Sequence, residues 1–521
     1  MVQPAEPGPS EESPISQPIK LGPSEESPIN QEFPGSPPVD INRAIEEGGC
    51  GCGTFLYCSG ALLLQAAYGA EIVVLTVVGL ILRCEWNLST FWITMLQICS
   101  VATNAIFALL TAHWGDKYGR RTICLISAVG IVMSGMLCGL AQNFWQLVVM
   151  RSLGGVFIGI GLGPSVAITG EIPPVKYRSL SVSGISLCWG LGGFMASGMA
   201  YLTILPFGWR MYLIVVSVIL LPSIILMAVV TESPRHDVRC GRVRKAEVTL
   251  KRMYRMNCRY SAELRLLEEE GRSASARSNR SSRQSRRDAT EETEKITPLE
   301  GTPNCSQVIT TNQAYKNLEQ SDNLFYFFVM CFLNFFTYFA YYALTYAAPR
   351  LLNEGYCSNL PAREVDPCTF SNSTLFQLGV VSLCEPIGVL IAVFAVDKIG
   401  RRPTFFIYTV ATLIVLSCLY ICLGPVWLTF IIFLCKGVVA ALSWSPFILS
   451  TEYFPTSVRS FTNSTGNSIK GVAATLAIFA VQFSYDYEPK LVIGTLQVMV
   501  VGSGICFWFL KRETRGIYLE Q

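Results

Sequence analysis

The chain has 521 residues, 51% hydrophobic and only 15% charged, with a mean hydropathy of +0.41 and a formal net charge of +3. An average soluble protein carries roughly 25% charged residues, so a soluble enzyme is excluded and most of this chain belongs in hydrocarbon. The small net charge leaves no electrostatic footprint for nucleic acid, and two histidines, His113 and His236, are too few for a histidine metal site.

Residues 1–45 are rich in Pro, Glu and Ser, repeat GPSEESPI from Gly8 and from Gly22, and contain no apolar core of a signal peptide. They read as a disordered cytoplasmic tail. Apolar runs of about 20 residues, enough to span a bilayer, then recur at 57–82, 91–112, 122–140, 144–168, 180–203, 210–231, 324–349, 374–396, 404–422, 425–450, 462–483 and 491–510. The organisation expected is a tail over 1–45, a six-span half over 46–231, a partly disordered central loop over 232–322, a second six-span half over 323–510 and a tail over 511–521. The central loop holds 18 of the 40 Lys and Arg and 14 of the 37 Asp and Glu. Its opening, Val238 to Met256, carries helical spacing for one or two amphipathic helices under the bundle. The low-complexity basic run Ser273 to Arg287 reads as a solvated linker, or as a site for phosphorylation or anionic lipid.

Lys117, Arg120 and Arg121, Lys176 and Arg178, the central loop, Lys398, Arg401 and Arg402, Arg459, and Lys511, Arg512 and Arg515 all fall on alternate breaks. By the positive-inside rule those breaks face the cytoplasm, which puts both termini there. The 19 cysteines are diluted along a long chain and mostly sit in apolar runs, as packed thiols. The exception allowed by this topology is Cys357 with Cys368, eleven residues apart in an external polar loop, either bridged or free.

A duplication appears as a constant shift of 281 residues. Asp116, Lys117, Gly119, Arg120 and Arg121 recur as Asp397, Lys398, Gly400, Arg401 and Arg402. Glu171, Pro174 and Arg178 recur as Glu452, Pro455 and Arg459, and Glu232 recurs as Glu513. Six spans per copy give two halves of the same orientation, related by an axis along the membrane normal. Gly115 and Gly119 permit a tight turn, Asp116 can face a neighbouring helix's positive end, and Arg120 and Arg121 can bond carboxylates or helix-end carbonyls across the interface between halves. Glu171 with Arg178, and Glu452 with Arg459, extend a network that closes one face and breaks when that face opens. Topology alone requires the positive charges but not Gly and Asp beside them, which favours gating.

These loops resemble those of the major facilitator superfamily. The stretches CEWNLSTF at Cys84, RSLGGVFIGIG at Arg151, GWR at Gly208, ESPRHDV at Glu232 and EYFPTSVRS at Glu452 are similar, more narrowly, to the synaptic vesicle 2-related (SVOP-like) subgroup near the organic-ion and sugar-porter branches. The resemblance implies an all-α integral membrane protein with twelve transmembrane helices in two six-helix halves, working by alternating access around a cavity lined by the first, fourth, seventh and tenth spans. Where the subgroup tends to carry Asp-Ala-Met-Glu in the first span, this chain has Tyr68, Gly69, Ala70 and Glu71, so proton coupling would rest on Glu71 alone.

Charge at a span's centre costs roughly 2.5–3.5 kcal/mol on insertion scales, which singles out Glu71 with Arg151 and Glu385 with Lys436 as pairs for coupling or substrate, or as structural ion pairs. Lys470 reads as a snorkelling residue near a cytoplasmic end. The seventh span is aromatic, with Tyr338 beside Asn334, and with Tyr68, Trp189 and Trp444 it offers ring faces to an organic cation or simply to packing. The glycines after Gly154 follow no strand and read as helix packing rather than a dinucleotide loop. No cofactor is implied, and no nucleophile with a base, Walker-type loop or metal cluster points to an enzyme. The reading is a monomeric carrier of a small organic ion, with protons as a candidate co-substrate, in the plasma membrane or an intracellular vesicle membrane. The alternative keeps the fold as a non-transporting receptor or vesicle regulator.

Overall fold

The computed structural model describes residues 41–258, 323–353, 356, 371–421, 424–454 and 456–510. Cys357 and Cys368, and the side chains of Asp116, Asp397, Glu452 and Arg459, lie outside the described residues. Apolar sequence that cannot hydrogen-bond to lipid must satisfy its backbone within each segment, and every described element is helical. The first half comprises α1 (Ile41–Gly48), α2 (Cys52–Glu85), α3 (Thr90–Tyr118), α4 (Arg120–Gly139), α5 (Phe144–Glu171), α6 (Val175–Ile219) and α7 (Leu221–Val229). Two short helices, α8 (Pro234–Arg239) and α9 (Val243–Met256), follow. The second half comprises α10 (Asn323–Asn353), α11 (Asn372–Ile399), α12 (Arg401–Cys418), α13 (Pro425–Tyr453), α14 (Thr456–Tyr487) and α15 (Pro489–Phe509).

Ten segments among the described residues are long and apolar enough to cross a membrane. One of them, Val175–Val229, contains both the fifth and sixth spans read from the sequence, and it breaks where Gly208 adopts φ 81°. The ninth span, α12, falls outside those ten because Arg401 and Arg402 open an 18-residue helix and lower its hydropathy. With these two adjustments the twelve spans are accounted for.

Within the first half α5 packs on α3 and α4, and in the second α13 packs on α11 and α12. Small residues allow the closest crossings: a Cβ on Gly155 would strike the Ser100 carbonyl, and one on Gly388 would strike the backbone of Gly437. The same helix pair, second with fourth and eighth with tenth, thus packs through glycine in both halves. The halves meet where α6 lies on α11 and α3 on α14. Beneath the first half, α9 buries Ala246, Leu250 and Tyr254 against Ala44 and Ile45 of α1. Tyr254 donates a 2.6 Å hydrogen bond to the Ala44 carbonyl, and Glu46 accepts one of 2.8 Å from the Val175 N–H at the start of α6. Cys84 at the end of α2 and Cys240 after α8 are each disulfide-bonded, though not to one another, which cysteine spacing did not single out.

Candidate functional site

Among the described residues, each half has one ion pair with both partners buried. In the first, Arg151 of α5 donates to Glu71 of α2, and both residues are less than a tenth exposed. Two further helices of the same half close over them: a Cβ on Gly135 of α4 would lie 3.2 Å from Glu71 Oε1 and would collide with Ser217 of α6. Arg151 Nη2 is buried without a hydrogen-bond partner. Tyr68 is also enclosed here, its hydroxyl 2.9 Å from Ser127 Oγ in the first-half core.

In the second half Lys436 of α13 donates to Glu385 of α11. The Tyr341 hydroxyl on α10 donates to the other Glu385 oxygen at 2.9 Å and accepts from Trp189 Nε1 of α6 at 3.0 Å. A hydrogen-bonded chain therefore runs from the first half into the buried pair of the second. Trp444, offered by the sequence as a cavity ring, is instead fully buried beside Phe405. Lys470 does not snorkel: it is buried, with Nζ 3.3 Å from the Phe447 ring centroid, 4.6 Å from that of Tyr338 and 3.3 Å from Asn467 Oδ1. Asn334 donates to the Met330 carbonyl at 2.8 Å, and its Oδ1 is buried without a hydrogen-bond partner.

Between the halves, Ser197 and Ser382 share a 2.8 Å hydrogen bond, Gln482 donates to Gln97 at 3.2 Å, and Ser468 donates to the Ala105 carbonyl at 3.3 Å. By chain direction these contacts lie at the middle of the bundle and toward the end remote from Arg120. A small cavity at this seam is lined by apolar residues, among them Val73, Val77, Leu378 and Val381, with Ser382 and Lys436 among its polar ones.

The candidate gating residues gather at the other end. Gly119 (φ 94°) and Gly400 (φ 105°) both adopt the left-handed backbone that only glycine takes at little cost, at positions 281 apart. Gly115 serves differently: it lies inside α3 and lets Pro164 of α5 approach. Arg120 forms an ion pair with Glu171, and Ser233 donates to the same carboxylate at 3.0 Å. The free N-terminal N–H groups of α4 are taken by Glu232, whose Oε1 accepts from Arg120 N at 3.1 Å and Arg121 N at 3.2 Å. A carboxylate is favoured there by the helix's positive end. Arg121 donates to the Ala228 carbonyl at 2.5 Å, and Arg402 repeats the bond with the Trp508 carbonyl at 3.4 Å. Arg178 lies in the first turn of α6, and Arg401 opens α12 as Arg120 opens α4. Among the described residues, the Arg120–Glu171 pair and these bonds of Arg121 and Arg402 join helices of one half. Glu232 was visible only as a repeated position. Beside it, burial raises the Asp237 carboxyl above the usual range, Glu232's charge adding to the effect and His236, Arg242 and Lys245 opposing it.

Residues 65–521 match the family described as sugar (and other) transporter. The synaptic vesicle 2-related protein of Bos taurus is 24% identical over 500 residues, covering 93% of this chain and 83% of the relative. Organic cation/carnitine transporter 7 of Arabidopsis thaliana is 25% identical over 473 residues, covering 86% and 89%. The xylose transporter XylE from E. coli, in a partially occluded inward open conformation, superposes with a TM-score of 0.62 at 17% identity, covering 89% of this chain and 99% of that one. Identity that low carries the fold and leaves the cargo open. The matched span, the twelve helices and the doubled six-helix plan agree: the chain is a multi-pass membrane protein of the major facilitator fold and belongs to the sugar (and other) transporter family.

Proposed function

We propose that this chain carries a small organic ion across its membrane by alternating access, with a proton on Glu71 as the coupling charge. The observation that carries the reading is the buried Glu71–Arg151 pair. Protonating Glu71 removes the attraction that holds Arg151, and a guanidinium already short of one partner must then find another. That demand gives protonation a way to bias how the first half packs. The seam supports the same reading: among the described residues its hydrogen bonds join the halves at the middle and at the end remote from Arg120. Solute would reach the seam cavity beside Lys436. A structurally similar chain is described as a proton:xylose symporter, and one relative's name specifies organic cations and carnitine.

The test is uptake into proteoliposomes of organic cations, organic anions and sugars, with and without an imposed pH gradient, for wild type and Glu71→Gln. Accumulation that follows the gradient and is lost in the variant is expected. Uptake indifferent to both contradicts the coupling, and no uptake of any class by folded protein favours the receptor or regulator reading.

A further inference from the structure

Among the described residues, five Lys or Arg side chains are less than a tenth exposed: Arg120, Arg151, Arg350, Lys436 and Lys470. Four face a carboxylate, in the pairs Arg120–Glu171, Arg151–Glu71, Arg350–Asp486 and Lys436–Glu385. Among the described residues none is in salt-bridge distance of Lys470. Its ammonium meets two ring faces and one amide oxygen, neutral groups that soften burial of a charge without balancing it. Tyr338 and Phe447 remain partly exposed, and Tyr338 lies beside Tyr341, the ring bonded across the seam to Trp189. One helical turn before Tyr338, the Asn334 amide lies against Gly466, four residues before Lys470, and its Oδ1 is buried without a hydrogen-bond partner. A cation lacking a counter-charge and an acceptor lacking a donor thus lie on the same two helices, α10 and α14.

We infer that the solute is an organic anion with an aromatic body: Lys470 takes its carboxylate, the Tyr338 and Phe447 faces take its ring, and Asn334 Oδ1 accepts from its hydroxyl. Of the rings that suit an organic cation by composition, Tyr338 is already turned to the protein's own ammonium, so the charge missing beside it is negative. This names the substrate class of the carrier proposed above and rests on that reading for transport, though not for binding.

The full chain is purified and given three probes that share one ring: 4-hydroxybenzoate, the neutral 4-hydroxybenzamide and the cation 4-hydroxybenzylammonium. Binding is read as a rise in melting temperature, and transport as uptake into proteoliposomes. The carboxylate should stabilise the protein and enter about tenfold or more faster than the other two, and Lys470→Gln should remove both effects while Lys470→Arg keeps part of each. Asn334→Leu should weaken 4-hydroxybenzoate and leave benzoate unchanged. If Lys470→Gln fails to insert, Lys470→Met keeps the apolar stem against the rings and serves instead. A purely structural lysine would shift the melting of the unliganded protein and leave the carboxylate's increment intact, which overturns the inference. Preference for the cation, or no stabilisation by the carboxylate, also overturns it. Stabilisation without uptake preserves the anion site and counts against the carrier, whereas uptake of the cation preserves the carrier and removes the anion site.

Discussion

The two halves share one six-helix plan but bury charge differently. Glu71 in the first half has Arg151 as its hydrogen-bond donor, with α4 and α6 of that half packed over the pair at Gly135 and Ser217. Glu385 in the second has both Lys436 and Tyr341, and Tyr341 in turn holds Trp189 of the first half. The first pair is positioned to report a proton and the second to feel whether the halves are together. The second half also keeps the uncompensated Lys470. A repeat preserves helix positions and glycine crossings, while the polar interior is free to diverge because each charge needs only some partner, not the equivalent one.

Deleting one partner from each pair should separate these roles. Arg151→Ala leaves Glu71 buried with no donor and should cost about 3–5 kcal/mol, read as a large fall in detergent melting temperature. Lys436→Ala leaves Glu385 its Tyr341 donor and should cost measurably less; equal losses would break the comparison. Glu232→Ala uncaps α4 and should cost about 1–2 kcal/mol, seen as faster hydrogen exchange over the first turn of that helix. Trp189→Phe removes one hydrogen bond across the seam, worth about 1 kcal/mol, and should shift the balance between conformations more than it shifts melting. The smallest effect has the opposite sign. Asp237's carboxyl is raised in the folded chain, so its charge disfavours folding at neutral pH; Asp237→Asn should melt slightly higher there, and the gap should close as acid protonates the wild type.

Much of the architecture was legible because hydrocarbon imposes simple rules. Runs of bilayer length, alternating positive breaks and a fixed shift of 281 residues predict twelve helices in two halves, and Gly119 and Gly400 share their turn conformation. Glu71 with Arg151 and Glu385 with Lys436 were readable as pairs because unpaired charge at that depth is costly. Spacing does not reveal which helix end lies nearest a given arginine: Arg121 finds the Ala228 carbonyl of its own half. Lys470 looked like a snorkelling residue because its stabilising partners are ring faces, which leave no complementary charge in the sequence. The Tyr341–Trp189 bond was hidden among the twelve aromatic residues of α10.

The central claim is that the halves move and that the Glu71 proton biases them. Tyr118 and Ile399 occupy equivalent positions 281 apart at the Arg120 end, and both are exposed. Spin labels introduced there through a noncanonical amino acid, in liposomes, would report the gap by pulsed electron resonance. The account predicts two distance populations whose ratio changes with pH in wild type and stays fixed in Glu71→Gln. A single distance at every pH, or the same pH response in the variant, would contradict it.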